Sequence, residues 1–521
     1  MLDFSQPYPS ARAPVCARNA VATSQPLAAA AGLDMLRQGG NAVDAALAMA
    51  ITLTVVEPNN NGVGSDAFAI VWDGSALHGL NASGRAPALW TTQRFAGRAA
   101  MPDLGWDTVT VPGAVSAWAA LSERFGRLPF PRLFEHAITY ARDGFQVGPM
   151  TAWFWQHAMR TFARFPDFQA HFGPAPAPGT LFRRPDLARS LQRIADSHGR
   201  DFYEGELAQR IDAAARAAGG GMRLVDLAAH AADWVTPTRQ DYRNVTLHEI
   251  PPNGQGLAAQ IALGILRHLP VQPVDSPLWV HQQVEAMKIA VRAAFDHFAD
   301  PRAMTLSPEQ LLEPGSLARA AAGIGDAASP LPPRSLPTSE DTVYLTAADA
   351  AGWMVSMIQS NYQGFGSGIV IPHTGISLQN RGRGFVLDPT HPNCVAPGKR
   401  PYHTIIPGFV TEGGAPRLSF GVMGGHMQPQ GHVQMVTRIF DHRQNPQAAS
   451  DAPRWHVYED FSVGLEPGFD AGVKADLERR GHRVRWEDRY WIFGGAQLIY
   501  RGDAGYVAGS DHRKEGQALG F

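Results

Sequence analysis

Residues 341–347 read Asp341-Thr342-Val343-Tyr344-Leu345-Thr346-Ala347, and a regular strand pattern begins abruptly at Thr342. The segment before it, Ser329-Pro330-Leu331-Pro332-Pro333-Arg334-Ser335-Leu336-Pro337-Thr338-Ser339-Glu340, carries four prolines. Proline cannot donate to a strand ladder, so this segment is expected to be an exposed linker. After it, Val343 to Ala347 and Trp353 to Ser360 flank the turn Asp349-Ala350-Ala351-Gly352, which predicts a hairpin. The glycine-rich Gly364-Phe365-Gly366-Ser367-Gly368 follows. A linker that delivers the chain into a central hairpin divides the sequence at Thr342 without dividing it into independent domains.

Working outward, strand and helix patterns alternate on both sides of that point. Ala20 to Ser24 reads as a strand, Pro26 to Leu36 as a helix stopped by Gly39-Gly40, and Asn41 as the cap of a nearly all-apolar helix, Ala42 to Val56. The loop Asn59 to Asp66 leads to a strand at Ala67 to Trp72 and a partner at Leu77 to Ala82. Helical patterns occupy Ala114 to Phe125, Phe130 to Asp143, Leu187 to Ser197 and Glu206 to Ala218. A strand at Asn244 to Ile250 precedes helices at Leu257 to Leu269 and Val280 to Phe298. Beyond the central hairpin, strands are expected at Gly368 to Pro372, Arg417 to Val422 and Ala496 to Tyr500, and helices at Pro429 to Phe440, Pro446 to Ala452 and Asp470 to Arg480. Strand blocks at both ends with helices between predict one layered α/β body, and no internal repeat is present.

Composition narrows the function. The 521 residues are 45% hydrophobic and 18% charged, with a net charge of −2, which describes an ordinary globular protein. No Lys/Arg run points to nucleic acid or an anionic membrane. The longest apolar run, Ala45 to Val56, is too short to span a bilayer, and Met1 to Pro14 has no apolar core of signal length, so a cytoplasmic protein is expected. Cys16 and Cys394 cannot build a disulfide framework. The 19 histidines are scattered with no metal-ligand spacing, and no phosphate-binding or dinucleotide motif occurs, so neither cofactor nor metal is expected.

What remains is Thr342 and a glycine pair, Gly424-Gly425, just after a strand. A threonine hydroxyl that attacks its preceding carbonyl can cut the chain and free an α-amine, which then serves as base for the same hydroxyl. A Gly-Gly turn at a strand end exposes consecutive N–H groups, a way to build an oxyanion hole without side chains. Each feature alone reads as an ordinary strand edge or turn.

Together with other landmarks they resemble the γ-glutamyltransferase family of N-terminal nucleophile hydrolases. The landmarks are Gly32 to Asp44, Val111-Pro112-Gly113, Asp341-Thr342 with Ser360 eighteen residues on, Phe365 to Gly368, Gly424-Gly425 and Asp451-Ala452-Pro453-Arg454. The resemblance implies an αββα sandwich formed jointly by a large subunit, 1–341, and a small subunit, 342–521, cut from one precursor between Asp341 and Thr342. A dimer of such heterodimers is left open. It also implies Thr342 as nucleophile, Ser360 as the hydroxyl bonded to it, and the Gly424 and Gly425 amides as oxyanion donors.

The departures from that family concern the substrate. Members that handle glutathione usually read Thr-Thr-His at the cut, where this chain has Thr342-Val343-Tyr344. The Ser-Ser pair that holds the glutamyl α-carboxylate is matched to Lys399-Arg400, the acid for the α-ammonium to Gly384, its neighbour to Arg381, and an asparagine to Tyr362. A site that has lost an ammonium partner and gained cations favours a purely anionic acyl group. Lys399, Arg400 and Arg381 are therefore expected to form a carboxylate pocket, with Arg85 joining from a facing loop. The implied activity is hydrolysis of a small amide of the oxamate type. A γ-glutamyl hydrolase or transferase, a cephalosporin-acylase-like enzyme and a catalytically inactive binding protein are the alternatives.

Overall fold

The computed structural model describes residues 12–330 and 341–521. Most of the expected Pro-rich linker, residues 331–340, lies outside the described residues. Fourteen strands form two seven-stranded sheets: β1 Val15–Ala17, β2 Ala20–Thr23, β3 Asp66–Trp72, β4 Leu77–Asn81, β5 Asp233–Val235, β6 Thr238–Tyr242, β7 Val245–Glu249, β8 Asp341–Ala348, β9 Met354–Tyr362, β10 Gly408–Glu412, β11 Ala415–Val422, β12 Ala496–Arg501, β13 Tyr506–Ser510 and β14 Gln517–Gly520. One sheet runs β14-β2-β8-β9-β3-β4-β5 and the other β1-β13-β12-β11-β10-β7-β6. All neighbours in both sheets are antiparallel.

The β8–β9 hairpin occupies the middle of its sheet, with β2 and β3, from more than 260 residues earlier in the chain, as its flanks. The other sheet is mixed in the same way, since β10 to β13 are flanked by β1 on one side and β7 and β6 on the other. Each sheet is thus completed only by strands from both sides of Thr342.

Two faces of apolar residues explain the layering. Between the sheets pack Phe68, Ile70, Tyr344, Ile358, Phe409, Met423 and Ile499. Val343 and Leu345 point the other way, into a core shared with two helices, α1 Pro26–Arg37 and α2 Ala42–Val56. Asn41 caps α2 in a reciprocal capping box with Asp44, and every residue of α2 is buried. Outside the second sheet, α3 Gly256–Leu266, α4 Pro277–His297 and α5 Met427–Phe440 close the fourth layer. The result is an αββα sandwich. Val343 and Tyr344, the departures beside Thr342, are core residues: the Tyr344 hydroxyl lies between the sheets, 2.7 Å from Ser356 Oγ. Among the described residues no helix is long and apolar enough to cross a membrane.

Several strands and helices escape the sequence reading. β6, β10, β13 and β14 and the helix Pro149–Thr161 carry weak or mixed periodicity, and they are placed by their neighbours rather than by their own pattern.

Candidate active site

Thr342 sits at a register irregularity between β8 and β9: Asp341 pairs with Tyr362 and Val343 with Gln359, so Ser360 and Asn361 together oppose Thr342 and the extra residue of the bulge lies in β9. A bulge re-aims a side chain out of the ladder. The Thr342 side chain is buried, and its Oγ1 lies 3.3 Å from Ser360 Oγ and 3.5 Å from Gln428 Nε2. Ser360 Oγ accepts a 2.8 Å hydrogen bond from the Tyr362 N–H. Tyr362 holds φ at +80°, a left-handed conformation that a bulky residue avoids unless its surroundings impose it.

Across the hairpin, β11 ends at Val422 and α5 begins at Met427. Gly424 and Gly425 fill the gap with φ of +109° and +55°, and their carbonyls already accept from Met427 and Gln428. Among the described residues neither glycine N–H has an acceptor. Two free N–H groups at a helix N-terminus make a natural seat for an oxyanion. Gln255 steadies the turn by donating to the Gly425 and Thr404 carbonyls, and Gln428 Oε1 accepts from Ile406 N.

Arg381 completes this group. It is fully buried; Nη1 donates to Thr404 Oγ1 at 2.7 Å and Nη2 to Ser360 Oγ at 3.3 Å, while Cζ lies 4.2 Å from the Tyr362 ring centre. Its Nε has no partner, and no carboxylate lies within ion-pair distance among the described residues. Burial lowers its pKa to about 10, opposed mainly by the field of Asp66. Asp66 is itself buried, directly opposite Ser360 in the β3–β9 register, and burial lifts its carboxyl to about 7 against the pull of Arg381.

These observations bear directly on what the chain resembles. Residues 28–521 match the family described as Gamma-glutamyltranspeptidase. The chain belongs to that family. Among its relatives, the glutathione hydrolase-like YwrD proenzyme of Bacillus subtilis is 36% identical, covering 95% of this chain and 97% of the relative. The oxamate amidohydrolase proenzyme of Klebsiella pneumoniae is also 36% identical, with the same two coverages. The crystal structure of a cephalosporin acylase from Bacillus halodurans superposes with a TM-score of 0.96 at 45% identity, covering 100% of this chain and 99% of that one. The protein is an amide-bond hydrolase of the gamma-glutamyltranspeptidase family with the N-terminal nucleophile fold.

Within this family member the structure brings Thr342, Ser360, Tyr362, Arg381, Gly424 and Gly425 into one region. It does not bring the other expected cations there. Lys399 Nζ donates to the Pro392 and Cys394 carbonyls. Arg400 is tied to the Ser83 carbonyl at 2.9 Å and to Asp233 at 2.5 Å, and its backbone N–H to Asp300 at 2.9 Å. Arg85 faces the same two acids, Asp233 at 3.4 Å and Asp300 at 3.5 Å. Of the four cations expected to form a carboxylate pocket, Lys399, Arg400 and Arg85 are engaged by Asp233, Asp300 and loop carbonyls, and Arg381 is the one of the four that reaches Ser360. The residues of this stretch that face the site are His403 and Thr404, four positions beyond Lys399 and Arg400. The repeated hydroxyl-bearing position in Pro401-Tyr402-His403-Thr404 was the available signal.

Two cavities open beside Tyr402 and His426, the larger of them against Gly424. One of about 500 Å³ is lined by Tyr402, Gly424, His426, Arg485, Arg489 and Trp491, among others. A small void of about 30 Å³ touches Tyr362, Gly384, Tyr402 and His426. At Gly384 a Cβ would stand 2.6 Å from the Tyr402 carbonyl oxygen, so the backbone leaves no room there for the acid of glutathione-handling members.

Proposed function

We propose that this chain is a self-processing threonine amidohydrolase whose preferred acyl group is short and carries a carboxylate next to the scissile carbonyl, as in oxamate. In the precursor, Thr342 Oγ1 attacks the Asp341 carbonyl carbon, the peptide C–N bond breaks, and water hydrolyses the resulting ester. The products are a large subunit ending at Asp341 and a small subunit beginning with the free α-amine of Thr342. Since each sheet contains strands from both pieces, separating them would expose the inner core, and the two stay together as one structural domain.

In the processed enzyme the α-amine, with a pKa near ~8, takes the Thr342 hydroxyl proton as the oxygen attacks the substrate amide. Gly424 and Gly425 N–H groups receive the oxyanion. The amine leaves with the proton, and water then frees the acyl group from Thr342. Ser360 orients the hydroxyl throughout.

The observation that carries the substrate reading is Arg381: a buried guanidinium with no carboxylate partner among the described residues, one hydrogen bond from Ser360 and two from Thr342. A buried cation of this kind is costly unless an anion completes it. Its closeness to the nucleophile suits a carboxylate one bond from the reacting carbonyl and not one at the far end of a glutamyl chain. The filled backbone at Gly384 argues the same way, since it leaves no room at that position for an acid to hold an α-ammonium.

A second reading concerns the amine half. The cavity of about 500 Å³ beside Gly424 far exceeds the needs of ammonia and favours a larger leaving group, nearer to an acylase substrate. The test of both readings is release of ammonia or amine from oxamate, N-substituted oxamates, a neutral amide and a γ-glutamyl anilide by processed protein. Preference for the γ-glutamyl anilide would overturn the short anionic acyl group.

A further inference from the structure

Three glutamines of α5 differ in what their amides hold. Gln430 and Gln434, one turn apart, donate from Nε2 to the carbonyls of Val457 and Trp455 at 3.1 and 3.0 Å, and accept from the N–H groups of the same two residues at 2.7 and 3.2 Å. They clip the helix to the strand Trp455–Val457. Gln428 leaves the helix about 200° around from Gln430 and faces β8 instead. It is fully buried, its Oε1 accepts from Ile406 N at 2.9 Å, and its Nε2 stands 3.5 Å from Thr342 Oγ1.

The Ile406 N–H fixes which end of this amide is the oxygen, because turning the group over would set two donors against each other. The end aimed at Thr342 is therefore the amide –NH₂, which can only donate. Ser360, 3.3 Å from the same Oγ1, is a hydroxyl and can give or take a proton there. Gln428 thus brings to the nucleophile an obligate donor that the chemistry above does not use.

Resting on the reading of Thr342 as nucleophile, we propose that Gln428 is a further catalytic residue: its amide donates to Thr342 Oγ1 and stabilises the charge this oxygen carries as it attacks and again as it leaves. In acylation the hydroxyl proton passes to the α-amine, an Oγ1 electron pair forms the bond to the substrate carbonyl carbon, and the C=O π pair moves to the oxygen held by Gly424 and Gly425. In deacylation a water gives its proton to the amine and bonds the acyl carbon. The C–Oγ1 bond then breaks with its pair on Oγ1, which recovers a proton from the amine. Gln428 neither gains nor loses a proton in either half. With a donor on one lone pair of Oγ1, the hydroxyl hydrogen is directed away from Gln428, the orientation a separate base needs. The contact is long at rest, as catalytic hydrogen bonds commonly are before substrate binds, and it strengthens as Oγ1 gains charge. The same oxygen attacks the Asp341 carbonyl in the precursor, so Gln428 serves self-cleavage as well.

The test compares Gln428→Glu with Gln428→Met on whichever amide of the panel above the wild type turns over fastest. Glutamate keeps the shape and an oxygen for the Ile406 N–H but replaces the –NH₂ with a second oxygen; methionine keeps little but the length. Both variants are expected to lose kcat by roughly ten- to a hundredfold with KM within about twofold, and to self-cleave more slowly. Wild-type kcat in Gln428→Glu from about pH 6 to pH 9, with a loss confined to Gln428→Met, would assign Gln428 to support of Ile406 and overturn the proposal. Full kcat in Gln428→Met, or a loss carried mainly by KM, overturns it too. Denaturant unfolding checks the fold of each variant; should the glutamate variant be unfolded, the split between kcat and KM in Gln428→Met decides. If Thr342→Ala still cuts and hydrolyses, the nucleophile reading fails and this role with it. If Thr342→Ala is uncut and inactive while Gln428→Met keeps full kcat, the role of Gln428 alone fails.

Discussion

The arginines around Asp233 and Asp300 and the lone Arg381 differ in what answers their charge. Arg85, Arg302 and Arg400 converge on Asp233 and Asp300, with Arg302 Nη2 2.7 Å and Arg400 Nη1 2.5 Å from a carboxylate oxygen. Arg381 converges on hydroxyls and an aromatic ring, with its nearest compensating acid, Asp66, beyond ion-pair distance. The first group is electrically complete and behaves as a strut between loops. The second is incomplete and lies one hydroxyl, Ser360, away from the proposed nucleophile Thr342. A count of cations cannot separate the two; the position of their counter-ions does.

The hardest break of this contrast is to remove the proposed nucleophile beside Arg381. Thr342→Ala should remain one full-length chain on a denaturing gel and release no ammonia from oxamate. Fragments produced at the same bond would show that the chemistry lies elsewhere.

Next in size, Arg381→Met should lower kcat/KM for oxamate by roughly ten- to a hundredfold, the range of a charge-assisted hydrogen-bond pair worth about 1.5–3 kcal/mol. A neutral amide of similar size should lose much less. Equal losses on both substrates would assign Arg381 to support of Ser360 and not to the acyl group.

The matched cluster should answer in the opposite manner. Arg400→Met should leave kcat/KM for oxamate unchanged while lowering stability by about 1–2 kcal/mol, a figure discounted because its partner Asp233 is half exposed to solvent. Denaturant unfolding and steady-state kinetics on the same preparation check the two halves. A large fall in kcat/KM with stability intact would return Arg400 to the site.

The smallest effect belongs to Arg85. Its ion pairs are long, at 3.4 and 3.5 Å, and its side chain is 35% exposed, so Arg85→Ala should cost about 0.5 kcal/mol or less. A loss comparable to that of Arg400→Met would mean that the cluster acts as one cooperative network.

Much of the sandwich was legible without coordinates because its central elements carry their own instructions. The hairpin of β8 and β9 has a turn sequence and strand patterns on both sides, and α2 has a cap, a first-turn acid and a continuous apolar body. The edge strand β6 and the strand β10 were missed because their residues alternate poorly and gain their apolar environment only from the helices and strands that cover them.

For the site, local order in the chain determined the composition of the Thr342 region: the strand beginning at Thr342, the serine at the far end of the following strand, the Gly424-Gly425 turn, and an arginine at position 381. Tertiary structure alone decided which cation lies near Thr342. Arg381 and Arg400 are both buried arginines near turns, and nothing within a few residues of either distinguishes them. Asp233 and Asp300 reach Arg400 from 167 and 100 residues away, while Asp66 reaches the Arg381 region through a strand register with Ser360. Electrostatic balance is a sum over neighbours in space, and a chain specifies those neighbours only once it has folded.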